Sequence, residues 1–186
     1  MIAVILAGGR SSRMKKNVEK PLIEVGGAKI IDRVVKAVKE SRAERCIVAV
    51  STLTPNTMRY CREIGCDVLL TEGKGYHDDL TSLLKIHPVF VSAAADMPFL
   101  TSQAVDKIIN AFDGVSVTGC VPLGTVPSFI EPSYTFEYRG RNLVAVGLNI
   151  VTHSELSEVL IFEDPLLAVS VNSERDLEAA RRLANG

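Results

Sequence analysis

The sequence predicts an α/β fold in which helices cover both faces of a mostly parallel central sheet. Three observations carry this. Short apolar runs rich in β-branched residues recur at Ile2–Leu6, Cys46–Val50, Asp67–Leu70, Val89–Ala95 and Val115–Val121. Such runs suit strands buried on both faces. Between them lie stretches of helical period, so strands and helices alternate, which implies right-handed βαβ crossovers. The chain has 186 residues, 47% of them hydrophobic, enough to fill one substantial core.

In chain order, Ile2–Leu6 is the first buried strand, and Gly8-Gly9 turns the chain at its end. Leu22 to Val25 is a short strand-like run closed by Gly26-Gly27. Ile30, Ile31, Val34, Val35 and Val38 then recur at helical spacing, with Asp32, Arg33, Lys36 and Lys39 between them. After the Cys46–Val50 strand, Thr54-Pro55 starts a helix that Gly65 ends. Asp67–Leu70 is the third strand. A glycine-rich turn, Thr71 to Tyr76, leads into a helix that Pro88 stops. Val89–Ala95 follows and ends in Asp96-Met97-Pro98-Phe99. Ser102 is expected to cap a helix with apolar face Val105, Ile108, Ile109 and Phe112. Past Val121 the alternation stops. Pro122 to Pro132 reads as loop, Thr135 to Ala145 as a hairpin, and Gly147 to Val151 as a strand. Ser154 to Phe162 reads as helical and Val169–Val171 as the last strand. Ser173 caps a C-terminal helix, with Asp176 in its first turn. No linker or internal repeat is evident, so one domain is expected over 1–186. The regular alternation covers about 1–121 and the changed pattern about 122–186.

Bulk properties exclude several classes. The net charge of −1 gives no global basic field, so no nucleic-acid partner is expected. No apolar run reaches the roughly 18 residues a membrane helix needs, and no basic-then-apolar leader opens the chain. A cytoplasmic location is the expectation. Cys46, Cys61, Cys66 and Cys120 form no Cys-x-x-Cys pair, and His77, His87 and His153 are scattered, so no structural zinc is expected. Cys46 and Cys120 sit in strand-like runs and read as buried. Cys61 and Cys66 could meet, but reduced thiols are expected. His77-Asp78-Asp79 reads as a solvated turn rather than a catalytic pair.

In a parallel sheet, ligands collect at the carboxyl ends of the strands. The Gly8-Gly9 loop, Ser51-Thr52, the Thr71 turn and Asp96 all follow strands, so topology alone brings them to one rim. Backbone N–H groups of the glycine turn, with Arg10, Ser11, Ser12, Arg13 and Lys20 downstream, make that rim an anion site. A Gly-Gly after a strand can also be no more than a turn. The loop has neither Gly-x-Gly-x-x-Gly nor Gly-x-x-x-x-Gly-Lys-Ser/Thr spacing. Asp96 follows seven uncharged residues. It is either a Mg²⁺ ligand beside phosphate oxygens or a cap for the turn before Pro98. Asn172 either starts the last helix or joins the metal.

Leu6-Ala7-Gly8-Gly9-x-x-x-Arg13-Met14 with Lys20-Pro21-Leu22, and Asp96-Met97-Pro98-Phe99, resemble the signature of the MobA-like sugar-nucleotide and cofactor nucleotidyltransferases. Their fold is a Rossmann-like three-layer α/β/α sandwich. The resemblance is closest to the members that act on adenosylcobinamide phosphate. It rests on Glu19-Lys20-Pro21-Leu22-Ile23, Gly73-Lys74-Gly75-Tyr76, Asp79-Leu80, Val146 to Val151 and Asn172 to Leu177. Pro122 to Arg141 lacks a counterpart. Members acting on the molybdenum cofactor usually carry Gly-Pro-Leu-Ala-Gly where this chain has Gly73 to Leu80.

The resemblance implies transfer of GMP from GTP to adenosylcobinamide phosphate, with Mg²⁺ as cofactor. It implies Arg13, Lys20 and Asp96 as catalytic residues, and Asp96 with Asn172 at the metal. Leu6, Ala7, Gly8, Gly9, Arg10, Ser11, Arg13 and Lys20 would hold the triphosphate. Ser51, Thr52, Thr71 and Gly75 would lie near guanine and ribose, and Gly147 would let a substrate approach, with Asn149 nearby. No membrane insertion is expected, and a homodimer stays open. The nucleotide-binding half would be about 1–121 and the acceptor-binding part about 122–186. The runner-up activity is guanylyl or cytidylyl transfer to another phosphorylated acceptor, such as molybdopterin, and a regulatory module that binds nucleotide without turnover is the alternative from another class.

Overall fold

The computed structural model describes residues 1–9 and 18–185. Strand β1 (Ile2–Leu6) lies at the centre of the main sheet, between β4 (Arg45–Val50) and β6 (Val89–Ala94), parallel to both. β5 (Asp67–Leu70) extends the sheet beyond β4, again in parallel. The carboxyl ends of these four strands therefore share one rim, as the alternation of strand and helix predicts.

The other side of the sheet is mixed. β7 (Ser116–Pro122) does not pair with β6. The long β9 (Arg141–Thr152) runs between them, antiparallel to both. The expected hairpin is present, with β8 (Thr135–Tyr138) paired to the first part of β9. The separate strand expected after Gly147 is the continuation of β9 through an irregularity in its pairing with β7. Four of the main-sheet pairings are parallel and three antiparallel among the described residues.

Side chains alternate across β1. Ala3 and Ile5 enter the larger core and Val4 the smaller. The larger core takes the apolar faces of α1 (Ile30–Lys39), α4 (Ser102–Asn110) and α5 (Glu174–Ala184), with Ile31, Val34, Val105, Ile108, Leu177 and Ala180 buried. On the opposite face α3 (Tyr76–Leu84) lays Leu80, Leu83 and Leu84 over Val4, Ile47 and Phe90.

Four expectations are corrected. The run before Gly26-Gly27 is a 3-10 turn (Lys20–Leu22) followed by a two-residue strand, β2 (Glu24–Val25), paired with β3 (Ala28–Lys29). Thr101, not Ser102, caps α4, because its hydroxyl accepts from the Ala104 amide. Ser154 to Phe162 is not helical: Ser157–Ile161 forms β10, an edge strand parallel to β7. Its apolar residues gain more from pairing there than from a short helix, which is marginal by itself. Val169–Val171 is not a ladder strand. It follows a 3-10 turn (Pro165–Ala168), and the Val171 amide donates to the Asp96 carbonyl at 3.0 Å. All four cysteines are free thiols; Cys120 is buried and Cys46 half-buried.

Candidate active site

The first glycine of the loop is set by packing. A Cβ on Gly8 would lie 3.3 Å from Ser51 and from the Thr71 hydroxyl, tighter than ordinary contact. The fully buried Ser51 hydroxyl donates to the Gly8 carbonyl at 2.7 Å and accepts from the Leu53 amide at 3.1 Å. Gly9 faces open space. Ser51 and Thr71 are thus the underside of the loop. Both were expected near base and ribose, yet their hydroxyls are already bonded, Thr71 to the Val50 carbonyl at 3.2 Å.

The open side of the loop is a cleft of about 720 Å³ over the ends of β1, β4 and β5. Leu6, Gly8, Gly9, Thr52 and Gly75 line it, together with Leu53, Lys74 and Tyr76. Lys74 is paired with Glu72, which raises its ammonium above the ordinary lysine value. Asp79 also lines the cleft and accepts from the Gly73 amide at 3.3 Å, so it is more than a solvated turn residue. A second hollow of about 180 Å³ adjoins it, bounded by Ala7, Lys20, Pro21 and Asp96. Leu6, Gly9 and Tyr76 line both.

At the second hollow three chain segments distant in sequence meet. The Lys20 ammonium lies 3.2 Å from Asp96 Oδ2 and 2.7 Å from Asn172 Oδ1. Lys20 and Asp96 side chains are only 17% and 19% exposed, so their attraction is screened less than on an open surface. Asn172 is held from two sides. Its Nδ2 donates to Ser133 Oγ at 3.0 Å, and its backbone amide donates to Asp176 Oδ2 at 3.0 Å. Asp176 also completes a capping box with Ser173 at the start of α5. Asn172 thus directly precedes the helix cap, Ser173, and its side-chain oxygen faces the Lys20 ammonium.

Two hard oxygen donors, a carboxylate and an amide, converge on one cation here, the Lys20 ammonium. Mg²⁺ takes such oxygens when phosphates and waters complete its shell. The donor set fits that ion, and no cluster of three or more His, Cys, Asp or Glu able to hold a metal occurs among the described residues.

Gly147 has φ +77°, and a Cβ on it would come 3.0 Å from the Ala94 Cβ. The close approach it permits is therefore made by the end of β6, just before Asp96. Asn149 reaches the site through Tyr76, its Nδ2 donating to the phenol oxygen at 3.3 Å. Tyr76 is 49% exposed as a residue, and desolvation of its phenol raises it above its ordinary value. Sequence reasoning passed over Tyr76; the signal was an aromatic opening a helix directly after a glycine turn at a strand's carboxyl end. Arg10, Ser11 and Arg13 lie outside the described residues.

The sequence profile of the MobA-like NTP transferase domain matches residues 3–134, which includes the loop, the cleft and Asp96. The chain belongs to this family. A relative, the adenosylcobinamide-phosphate guanylyltransferase of Methanocaldococcus jannaschii, is 30% identical over 98% of this chain and 97% of its own length. A probable molybdenum cofactor guanylyltransferase of Pyrococcus horikoshii is 29% identical over 75% of this chain and 71% of its own. Among solved structures, a CMP:2-keto-3-deoxy-manno-octonic acid synthetase complexed with CTP superposes with a TM-score of 0.71 at 15% identity. That match covers 99% of this chain and 98% of the other. It shares the Rossmann-like three-layer fold. The family makes this MobA-like chain a nucleotidyltransferase, and its relatives make it a guanylyltransferase of the cobinamide-phosphate or molybdenum-cofactor kind. Among the described residues no helix is long and apolar enough to cross a membrane.

Proposed function

We propose that this protein transfers GMP from GTP to adenosylcobinamide phosphate, releasing pyrophosphate and giving adenosylcobinamide-GDP. The observation that carries the reading is the meeting of Lys20, Asp96 and Asn172 beside a glycine loop that opens onto a nucleoside-sized cleft. The choice of acceptor is supported by similarity to the adenosylcobinamide-phosphate enzyme over nearly the whole of both chains.

The guanosine would occupy the larger cleft, against Thr52, Leu53, Gly75 and Tyr76. The triphosphate would cross Gly9 toward Lys20, with Arg10, Ser11 and Arg13 as further phosphate-binding groups. An oxygen of the acceptor's phosphate attacks the α-phosphorus. The bond from that phosphorus to the β-phosphate's bridging oxygen breaks, and the electron pair leaves with pyrophosphate. A phosphate monoester has a second pKa of about 6, so it is a competent nucleophile at neutral pH without a general base. The residues' work is positioning and charge stabilisation. Lys20 neutralises charge developing on the phosphate oxygens, and Asp96 holds Lys20 at the hollow. In the loaded site Asp96 and Asn172 would hold Mg²⁺ in place of the Lys20 ammonium, which would turn to the phosphates, and the ion would supply Lewis-acid stabilisation there. Residues from about 122 on, including Ser133, would receive the acceptor.

The test is incubation of purified protein with Mg²⁺, each of the four NTPs and adenosylcobinamide phosphate, following pyrophosphate and identifying the product by mass. GTP-dependent formation of adenosylcobinamide-GDP is expected. Preference for CTP in calorimetry, or no product with GTP, would overturn the reading. The molybdenum-cofactor relatives make molybdopterin the second acceptor to offer in the same assay.

A further inference from the structure

The start of α2 (Pro55–Glu63) is capped from outside its own segment. Thr54, at the capping position, makes no side-chain bond to the helix amides; its hydroxyl is engaged with Ser51 instead. The carboxylate of Glu19 takes the place. Its Oε1 accepts from the Asn56 amide at 2.9 Å, and its Oε2 accepts from the Thr57 amide and the Thr57 hydroxyl, both at 2.6 Å. Thr57 is fully buried. A carboxylate on first-turn amides combines a charge-assisted bond with the favourable end of the helix dipole.

Glu19 immediately precedes Lys20. The two are rigidly coupled: the Leu22 amide donates to the Glu19 carbonyl at 3.0 Å, the Ile23 amide to the Lys20 carbonyl at 3.1 Å, and Pro21 is buried. On the other side of the loop, Ser51, just before α2, grips Gly8. The turn and first residues of α2 thus hold both the glycine that opens the loop and the strap that carries the lysine.

We propose that Glu19 is a positioning residue: by capping α2 it fixes the strap and so sets where the Lys20 ammonium meets Asp96 and Asn172. This rests on the role given to Lys20 above. Displacing a reacting or stabilising group by about 1 Å can cost about 100-fold in rate.

The test uses the full chain as Glu19→Ala, Glu19→Gln, Lys20→Ala and the Glu19→Ala/Lys20→Ala double variant. Glu19→Ala should lower kcat about 10- to 100-fold, with a much smaller change in the GTP dissociation constant. Glu19→Gln keeps one carbonyl oxygen for the two Thr57 donors and should recover part of the rate. In the Lys20→Ala background, Glu19→Ala should lower the rate no further, because its effect passes through the lysine. Amide exchange at Asn56 and Thr57 should speed up in Glu19→Ala. Full turnover in Glu19→Ala, an equal fall with and without Lys20, or unchanged exchange at Asn56 and Thr57 would each overturn the proposal. Normal turnover in Lys20→Ala, or no product from the wild-type chain, is instead failure of the function proposed above. In that event the exchange measurement still decides the clamp.

Discussion

Replacing Ser51 by Ala removes one oxygen from beneath the glycine loop. That oxygen is completely buried and makes two bonds, to the Gly8 carbonyl at 2.7 Å and from the Leu53 amide at 3.1 Å. Gly8 is itself buried, so its carbonyl loses a donor where water does not readily replace it. Stranding a buried polar group costs about 1–3 kcal/mol. The Leu53 amide is only part-buried and adds less, so about 2–3 kcal/mol is expected in all. For a chain of this length each kcal/mol lowers Tm by about 2–4 °C, which gives a fall of about 4–12 °C. The loop should also lose its set position, and GTP affinity should fall with it. Differential scanning fluorimetry with and without GTP measures both. A Tm within about 1 °C of wild type together with unchanged affinity would show that the loop holds its shape without Ser51, and the account of its underside would be wrong.

Lys20→Ala and Asp96→Ala should each cut pyrophosphate release by about 100-fold or more while circular dichroism stays native; near-normal rates in both would mean the site is misassigned. Gly147→Ala places a Cβ at φ +77° and 3.0 Å from Ala94, and should destabilise by about 1–2 kcal/mol in urea unfolding, whereas wild-type stability would deny the close approach of β9 to the end of β6 beside it. Burial pushes the thiols of Cys46 and Cys120 up to about 11 and that of Cys61 up to about 12, from an ordinary 9.0. Because the folded thiols stay protonated where unfolded ones ionise, stability is fully present below about pH 9 and should fall as pH climbs from there toward 11 and beyond; a flat Tm over that range would contradict the burial of these groups.

What the sequence disclosed, and what it hid, follows from how local each cause is. β1, α1 and β6 were legible because their apolar period is carried by their own residues. The segment from Ser157 to Ile161 was misread because Leu156, Val159 and Leu160 also satisfy helical spacing. Only the open edge of β7, contributed from elsewhere, makes the segment a strand. At the site, Asp96 was legible as a lone carboxylate ending an apolar run, and Lys20 as a cation downstream of the glycines. Ser51 looked the same as a ligand-facing serine in sequence. Its burial is fixed by the path of Gly8, 43 positions away. Glu19 stood in a run that carries the resemblance, but its capping of α2 was not legible, since that depends on where α2 begins in space.

The placement of β9 governs how this molecule can come together. A strand from residues 141 to 152 separates two strands made much earlier, at 89–94 and 116–122. A piece ending near 121 would therefore leave the inner flanks of β6 and β7 facing a gap, with unpaired backbone groups on both sides. Growth of the chain on a ribosome meets the same gap, which only late synthesis closes. Contacts so far apart in sequence slow folding and leave sticky intermediates exposed meanwhile. The glycine loop, though built from the first residues, sits on a sheet that is finished almost last.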